Sequence, residues 1–237
     1  MKPPSIPRQL VTAFLDLLYP PRCAACGDGL GSSADEPFCA VCREAVDRVP
    51  SGCERCGAPG PDATCGACLA GPPGFLSCRA GGLLGGPLAD AIHAFKYRDR
   101  PALARPLGAW LATRLELPAA ALVAPIPLAR RRRLARGYDQ AALLARSLCR
   151  AGGWRDRLAL GLLVRARETP PQVGRSRAAR RANVDGAFRA NARAVEGRVI
   201  VLVDDVVTTG ATAAAAAEAV LAAGAAEVHV AALARAE

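Results

Sequence analysis

Two patterns of apolar residues divide the chain. Before about residue 80 the sequence is a Pro/Gly-rich loop region, except for Ile6, Leu10, Phe14 and Leu17/Leu18. Their helical spacing predicts a short amphipathic helix over residues 1–20, stopped by Pro20–Pro21. From Pro87 the pattern turns α/β. It predicts helices at about 87–97 and 101–115, an apolar strand around 120–124, a loop starting Pro125-Ile126-Pro127, and a helix at about 138–151 with Ala141, Leu144, Ala145 and Leu148 on one face. An apolar run at 158–164 and an arginine-rich polar stretch at 165–193 follow, then a strand at 198–203, a helix at 211–223 and a strand at 226–233. Strands alternating with helices predict a parallel sheet covered on both faces, with ligands bound beyond the carboxyl ends of its strands.

The loop region is where the cysteines fall. Eight of the ten form four C-x-x-C pairs, Cys23/Cys26, Cys39/Cys42, Cys53/Cys56 and Cys65/Cys68. Two thiolates three residues apart in a tight turn present both sulfurs to one metal, and two such knuckles complete a tetrahedral four-sulfur site. The reading is two structural zinc sites over residues 21–78, closed to a catalytic water, which supply the stability that so small a domain lacks in its core. Sequential pairing closes the shorter loops, and an interleaved cross-brace is the alternative. Iron–sulfur ligation uses the same four cysteines. A disulfide framework suits secreted chains, and no export signal is evident. Redox use calls for one C-x-x-C opening a helix in a βαβ unit, not four in loops. Cys78 and Cys149 read as ordinary buried residues.

Composition narrows the class. With 237 residues, 51% hydrophobic and 22% charged, the chain can bury a real core, which excludes disordered, collagen-like and disulfide-only classes. No stretch reaches the roughly 18–20 uninterrupted apolar residues of a spanning helix, so a cytoplasmic protein is expected. Packing against the rest of the chain is the first reading of the N-terminal helix, and association with the inner face of the membrane the second. The formal net charge of +10 is almost all arginine, and residues 91–193 hold 22 basic against 6 acidic groups. A codon bias toward arginine would raise the total but would not segregate it, so a polyanionic ligand, phosphate ester or nucleic acid, is expected at that segment.

The strongest local signal is Val199-Ile200-Val201-Leu202-Val203-Asp204-Asp205-Val206-Val207-Thr208-Thr209-Gly210-Ala211-Thr212. A continuous apolar strand delivers two carboxylates, then a Thr/Gly turn opens a helix. Backbone N–H groups at that helix start, with the hydroxyls of Thr208, Thr209 and Thr212, form an anion cradle. Carboxylates beside a phosphate site make sense if they hold sugar hydroxyls or a divalent cation, a combination that describes a ribose 5-phosphate. A plain strand-to-helix turn with threonine caps is the competing reading.

This stretch resembles the 5-phosphoribosyl-1-pyrophosphate (PRPP) motif of type I phosphoribosyltransferases. More of the chain resembles the ComF/GntX family of competence-associated proteins: Leu17-Leu18-Tyr19-Pro20 before Cys23, the four knuckles, Phe95-Lys96-Tyr97, Pro125-Ile126-Pro127, Arg136-Gly137-Tyr138-Asp139-Gln140, and Thr169 and Gln172 followed by Arg180, Asn183, Val184, Gly186 and Phe188. The chain departs from the family pattern at Asp139, where Asn is frequent.

The resemblance implies a double zinc ribbon at 21–78 and a phosphoribosyltransferase-like domain at 79–237. It implies that Asp204 and Asp205 bind the ribose 2′- and 3′-hydroxyls and orient Mg²⁺ through water, while Thr208, Thr209, Gly210, Ala211 and Thr212 hold the 5′-phosphate. The 125–127 turn takes the place of the pyrophosphate loop. Lys96 is expected at the cofactor, as is Arg177 from a hood loop spanning 165–183. Cations and Mg²⁺ aimed at the departing pyrophosphate would stabilise the charge that builds in the transition state. Purine-salvage members can carry an acidic proton acceptor two residues before the motif glycine, where this chain has Thr208, so purine salvage is disfavoured. His93, on a helix, and His229, in a strand, read as structural. Two functions follow. One is a PRPP-binding protein of natural competence, with the ribbons and Arg130-Arg131-Arg132-Arg133 contacting single-stranded DNA alongside other DNA-uptake proteins. The other is an active phosphoribosyltransferase of nucleotide metabolism with no direct DNA contact.

Overall fold

The computed structural model describes residues 20–31, 35–167 and 186–236. The helix expected over 1–20 and most of the hood loop, Arg177 included, therefore lie outside the described residues. Short helices α1 (Ala40–Glu44) and α2 (Gly66–Ala70) belong to the cysteine region. After them come β1 (Ser77–Leu83), α3 (Gly86–Tyr97), α4 (Ala104–Ala112), β2 (Leu122–Pro125), α5 (Arg130–Arg136) and α6 (Gln140–Ala151). The chain continues through β3 (Leu163–Arg165), β4 (Phe188–Ala190), α7 (Ala192–Val195), β5 (Val199–Val207), α8 (Ala211–Ala222) and β6 (Glu227–Arg235).

The fold is α/β, with a four-stranded sheet in the order β1-β6-β5-β2 and every pairing parallel. Strands β3 and β4 pair antiparallel apart from it, on either side of residues 168–185. Side chains alternate along β5: Val201 and Val203 join Leu88, Phe95, Leu107, Trp110, Leu144 and Leu148 in one buried cluster, while Ile200 and Leu202 join Phe75, Leu162, Phe188 and Val220 in another. The sheet is thus covered on both faces, which a continuous apolar strand requires. Helix α8 presents Ala213, Ala216 and Ala217 to the second cluster, and such small side chains let its backbone lie close to the sheet.

The cysteine region grips the sheet from both sides. Cys23, Ala24, Phe38 and Val46 belong to the first cluster, whereas Cys56 packs against the second. Eight sulfurs gather in two groups, Cys23/Cys26/Cys39/Cys42 and Cys53/Cys56/Cys65/Cys68, each with its ligand atoms within 4.8 Å of one another.

Several elements differ from the periodicity. Strand β1 lies where the sequence reads as the tail of the loop region, because Gly81 and Gly82 interrupt its apolar pattern. A Cβ at Gly81 would come 2.5 Å from the Trp110 ring, so the glycine admits the indole. The Arg130–Arg133 run, which the periodicity assigns to no element because it shows no apolar face, is helical, and none of its residues is buried. Strand β4 falls inside the stretch read as polar and irregular. Strand β5 runs on to Val207, so Asp204 and Asp205 sit within a hydrogen-bonded strand rather than after it, Asp204 opposite Ala232.

Candidate functional site

Strands β2 and β5 are neighbours, and beyond their carboxyl ends opens a cavity of about 1050 Å³. The loop after β2 forms one wall. The Ile126 N–H donates to Val203 at 2.9 Å, so the loop leaves the sheet already tied to β5. Asp139 fixes its far end: one carboxylate oxygen accepts from the Ala142 N–H at 3.1 Å, capping α6, and the other accepts from the Leu128 N–H at 3.0 Å. These two bonds give the Asp139 side chain a polar role at the cavity wall. Tyr138 donates its hydroxyl proton to the Phe95 carbonyl, joining the same turn to α3.

The last turn of helix α3 carries Lys96, whose ammonium nitrogen lies 2.7 Å from a carboxylate oxygen of Asp205. The pair is largely buried, with side chains 16% and 14% exposed. Beside it the Asp205 N–H donates to Asp204 at 2.8 Å. Burial and the adjacent Asp205 charge push the Asp204 carboxyl up to about 7, against the opposing pull of Lys96 and of that N–H. The site therefore holds more negative charge than Lys96 compensates. A divalent cation, or sugar hydroxyls donating to the carboxylates, would relieve it, and on this chemistry the pair fits Mg²⁺ held with a polyol phosphate.

Beyond β5 the chain turns through Thr208 and Thr209 to Gly210, whose left-handed φ of 77° reverses it into α8. Thr208, Gly210, Ala211 and Thr212 line a small hollow beside the main cavity, together with Asp204. Thr209 Oγ1 instead lies 3.4 Å from the Ala211 nitrogen and accepts from it. The structure thus brings Lys96, Asp204, Asp205, Thr208 and Thr212 to one cavity wall, with Gly210 and Ala211 adjoining.

Arg132, Arg136 and Arg165 also line the cavity. Nothing in the spacing selects these three among the chain's many arginines. Arg136 stacks 4.7 Å above the ring of Tyr97 at the rim. The histidines stand apart: His229 Nδ1 is 2.9 Å from Ser77 Oγ, and His93 packs its ring against Tyr97.

The sulfur geometry fits zinc. All eight knuckle thiols are free, with Cys26 and Cys39 sulfurs 3.8 Å apart and those of Cys56 and Cys65 3.6 Å apart. A disulfide needs about 2.05 Å. Two sulfurs each about 2.3 Å from one zinc at the tetrahedral angle lie about 3.8 Å apart. Burial opposes ionisation of Cys23 and Cys53, yet backbone N–H groups of the knuckles outweigh it and bring both thiols to about 6. Burial and neighbouring sulfurs push Cys42 and Cys68 well up. A cation is what would let all four ionise together.

Among the described residues no helix is long and apolar enough to cross a membrane. Residues 14–69 match the double zinc ribbon domain and residues 135–237 the phosphoribosyl transferase domain. The chain is 35% identical to the DNA utilization protein YhgH of Salmonella typhimurium over 206 residues, covering 81% of this chain and 88% of that one. It is 34% identical to its namesake in Escherichia coli K12, with the same coverage. Competence protein F of Haemophilus influenzae is 34% identical over 205 residues, 81% of this chain and 86% of the relative. Among solved structures, the allosteric regulatory enzyme of purine biosynthesis is similar at 26% identity with a TM-score of 0.41; the match covers 59% of this chain and 29% of that one. With its two cysteine clusters, its parallel sheet and relatives matched over most of their length, the chain belongs to the ComF family, a double zinc ribbon joined to a phosphoribosyltransferase domain.

Proposed function

We propose that the cavity binds PRPP with Mg²⁺ and that the protein serves, in the cytoplasm, the use of external DNA. The observation that carries the reading is one cavity wall on which the Asp204/Asp205 pair, only partly compensated by Lys96, adjoins the Thr208–Thr212 turn. Carboxylates take the ribose 2′- and 3′-hydroxyls and orient Mg²⁺ through water, the turn takes the 5′-phosphate, and the 125–127 loop takes the pyrophosphate. A cavity of about 1050 Å³ exceeds what most small ligands fill, which leaves room for a phosphoribosyl acceptor. The names of the relatives, DNA utilization protein and competence protein, supply the process.

The test is thermal unfolding with PRPP and Mg²⁺. At a hundredfold excess over Kd a ligand of the folded state adds about 2.7 kcal/mol, and Asp204→Asn/Asp205→Asn should abolish the shift. A wild-type melting temperature indifferent to PRPP would sink the reading.

A second reading keeps the fold and adds DNA contact. It is favoured by α5, which carries Arg130–Arg133 and Arg136 and turns Arg132 and Arg136 to the cavity. Single-stranded DNA binding would then weaken steeply with salt and fall when Arg130–Arg133 become alanine. Turnover of PRPP with no salt-dependent DNA binding would instead favour an enzyme of nucleotide metabolism.

A further inference from the structure

The first turn of the second cysteine cluster is bonded to β1 and to the segment that leads into it rather than resting on them. Arg79 donates to the Glu54 carbonyl at 3.1 Å, and Arg55 reaches the carbonyls of Pro73 at 3.4 Å and Phe75 at 3.5 Å. Gly57 lies so close to β1 that a Cβ there would come 2.5 Å from the Cys78 carbonyl oxygen. Phe75 is 1% exposed, and its ring lies 3.8 Å from where a Cβ on Gly210 would stand.

Arg235 closes the connection. It is 4% exposed and stands opposite Val207 in the β5–β6 register. Its Nε–H donates to the Cys56 carbonyl at 3.2 Å. Its Nη1 donates to the carbonyls of Val207 at 3.1 Å, Ala236 at 2.7 Å and Thr208. These four acceptors are backbone oxygens, so the guanidinium works as a rigid fork between chain segments rather than as half of an ion pair. In a trans peptide the carbonyl and the following N–H point opposite ways. Holding the Val207 and Thr208 carbonyls on Arg235 therefore turns the N–H groups of Thr208 and Thr209 away from it, the pose an anion at this turn needs.

We propose that Arg235 is a positioning residue that couples the metal state of the second cysteine cluster to the anion-binding turn after β5. With zinc on Cys53, Cys56, Cys65 and Cys68, the Cys56 carbonyl is fixed and the fork holds the turn; without it, the fork loses one prong and the turn relaxes. The ligand in this inference rests on the PRPP reading, but the coupling itself is observable without ligand.

The experiment compares the wild-type zinc protein with Cys65→Ser, Arg235→Lys, the double variant, and Arg114→Ala as a control. Arg114 donates to Gly81 and stacks on Trp110 in the first cluster, away from the turn. Zinc content separates the cases: Cys65→Ser should hold one zinc per chain, Arg235→Lys two. Hydrogen exchange of amides 208–211 should accelerate at least tenfold in both and stay within twofold in Arg114→Ala. Mg²⁺–PRPP affinity should fall about tenfold in either variant and no further in the double variant, because one linkage is broken twice. Loop exchange unchanged on loss of the second zinc, additive losses in the double variant, or an equal effect in Arg114→Ala would each overturn the coupling. Failure of wild-type protein to bind PRPP would overturn the function proposed above and leave the exchange comparison to decide this one.

Discussion

Lys96 and Asp205, 109 positions apart in the chain, meet at 2.7 Å on one wall of the cavity, and among the described residues the cation that faces the Asp204/Asp205 pair is this one ammonium. Removing the ammonium would strand two adjacent carboxylates. Breaking a buried pair by deleting one partner costs on the order of 3–5 kcal/mol, and the residual exposure of this one brings the expected loss for Lys96→Met to about 2 kcal/mol. Urea unfolding at neutral pH measures it, and Lys96→Arg should recover part of the loss. A Lys96→Met variant as stable as wild type would mean that the pair contributes nothing net.

Asp204 sets a pH dependence. Its carboxyl is raised in the folded chain, by burial first and the Asp205 charge second, from 3.8 to about 7. Across that interval the folded state binds the extra proton, so the contribution to stability is fully present below the ordinary carboxyl value and is lost as pH rises through about 7. Between pH 5 and 8 the wild-type melting temperature should therefore fall more than that of Asp204→Asn. Parallel curves would show that the shift is absent.

Asp139 accepts two N–H bonds, from Leu128 and from Ala142. Asp139→Ala orphans both donors and removes a helix cap, at about 1–2 kcal/mol each before relaxation. Asp139→Asn keeps one acceptor and should cost roughly half as much. Chemical denaturation of the two variants orders them; equal losses would show that only one bond matters.

Gly210 holds φ at 77°, and a Cβ there would meet the Phe75 ring at an ordinary 3.8 Å, so alanine would be strained without clashing. A left-handed alanine costs about 1–2 kcal/mol, and Gly210→Asn, whose side chain tolerates that region, should cost less. Both variants should bind Mg²⁺–PRPP more weakly than wild type by calorimetry. Unchanged affinity in Gly210→Ala would place the phosphate elsewhere.

Each cysteine cluster should hold one zinc. Two metal ions per chain are expected by elemental analysis, falling to one in either Cys26→Ser or Cys56→Ser. A metal content of one in the wild type, or an iron chromophore, would contradict the assignment.

What could be read from the chain follows from how local each constraint is. The knuckles and the Asp204-to-Thr212 stretch were legible because a metal bite and a strand-to-turn-to-helix transition each occupy a few consecutive residues. Helices α3, α6 and α8 were legible from their spacing to within a few residues. Strand β1 was not, since Gly81 admits Trp110 from α4 and Gly82 the Asp47 carbonyl from the cysteine region. The pairing of Lys96 with Asp205 depends on the topology that brings α3 to the end of β5, and the bond from Leu128 to Asp139 depends on how the loop after β2 folds back. Arg235 carried no signal at all: one arginine among many, its role appears only once Cys56 and Thr208 are seen to flank it.

Strand β6 stands between β1 and β5, yet every other strand of the sheet precedes it in the chain. During synthesis the cysteine clusters and β1 leave the ribosome before β6, and β1 then waits for that sheet partner across the 152 residues that separate Ser77 from His229. At about 5–20 residues per second that interval is roughly 8–30 s. The ribbons have the time to take up metal while the sheet is still incomplete. The turn after β5 acquires its final pose last of all, when Arg235 arrives at a cluster that is already loaded or already empty.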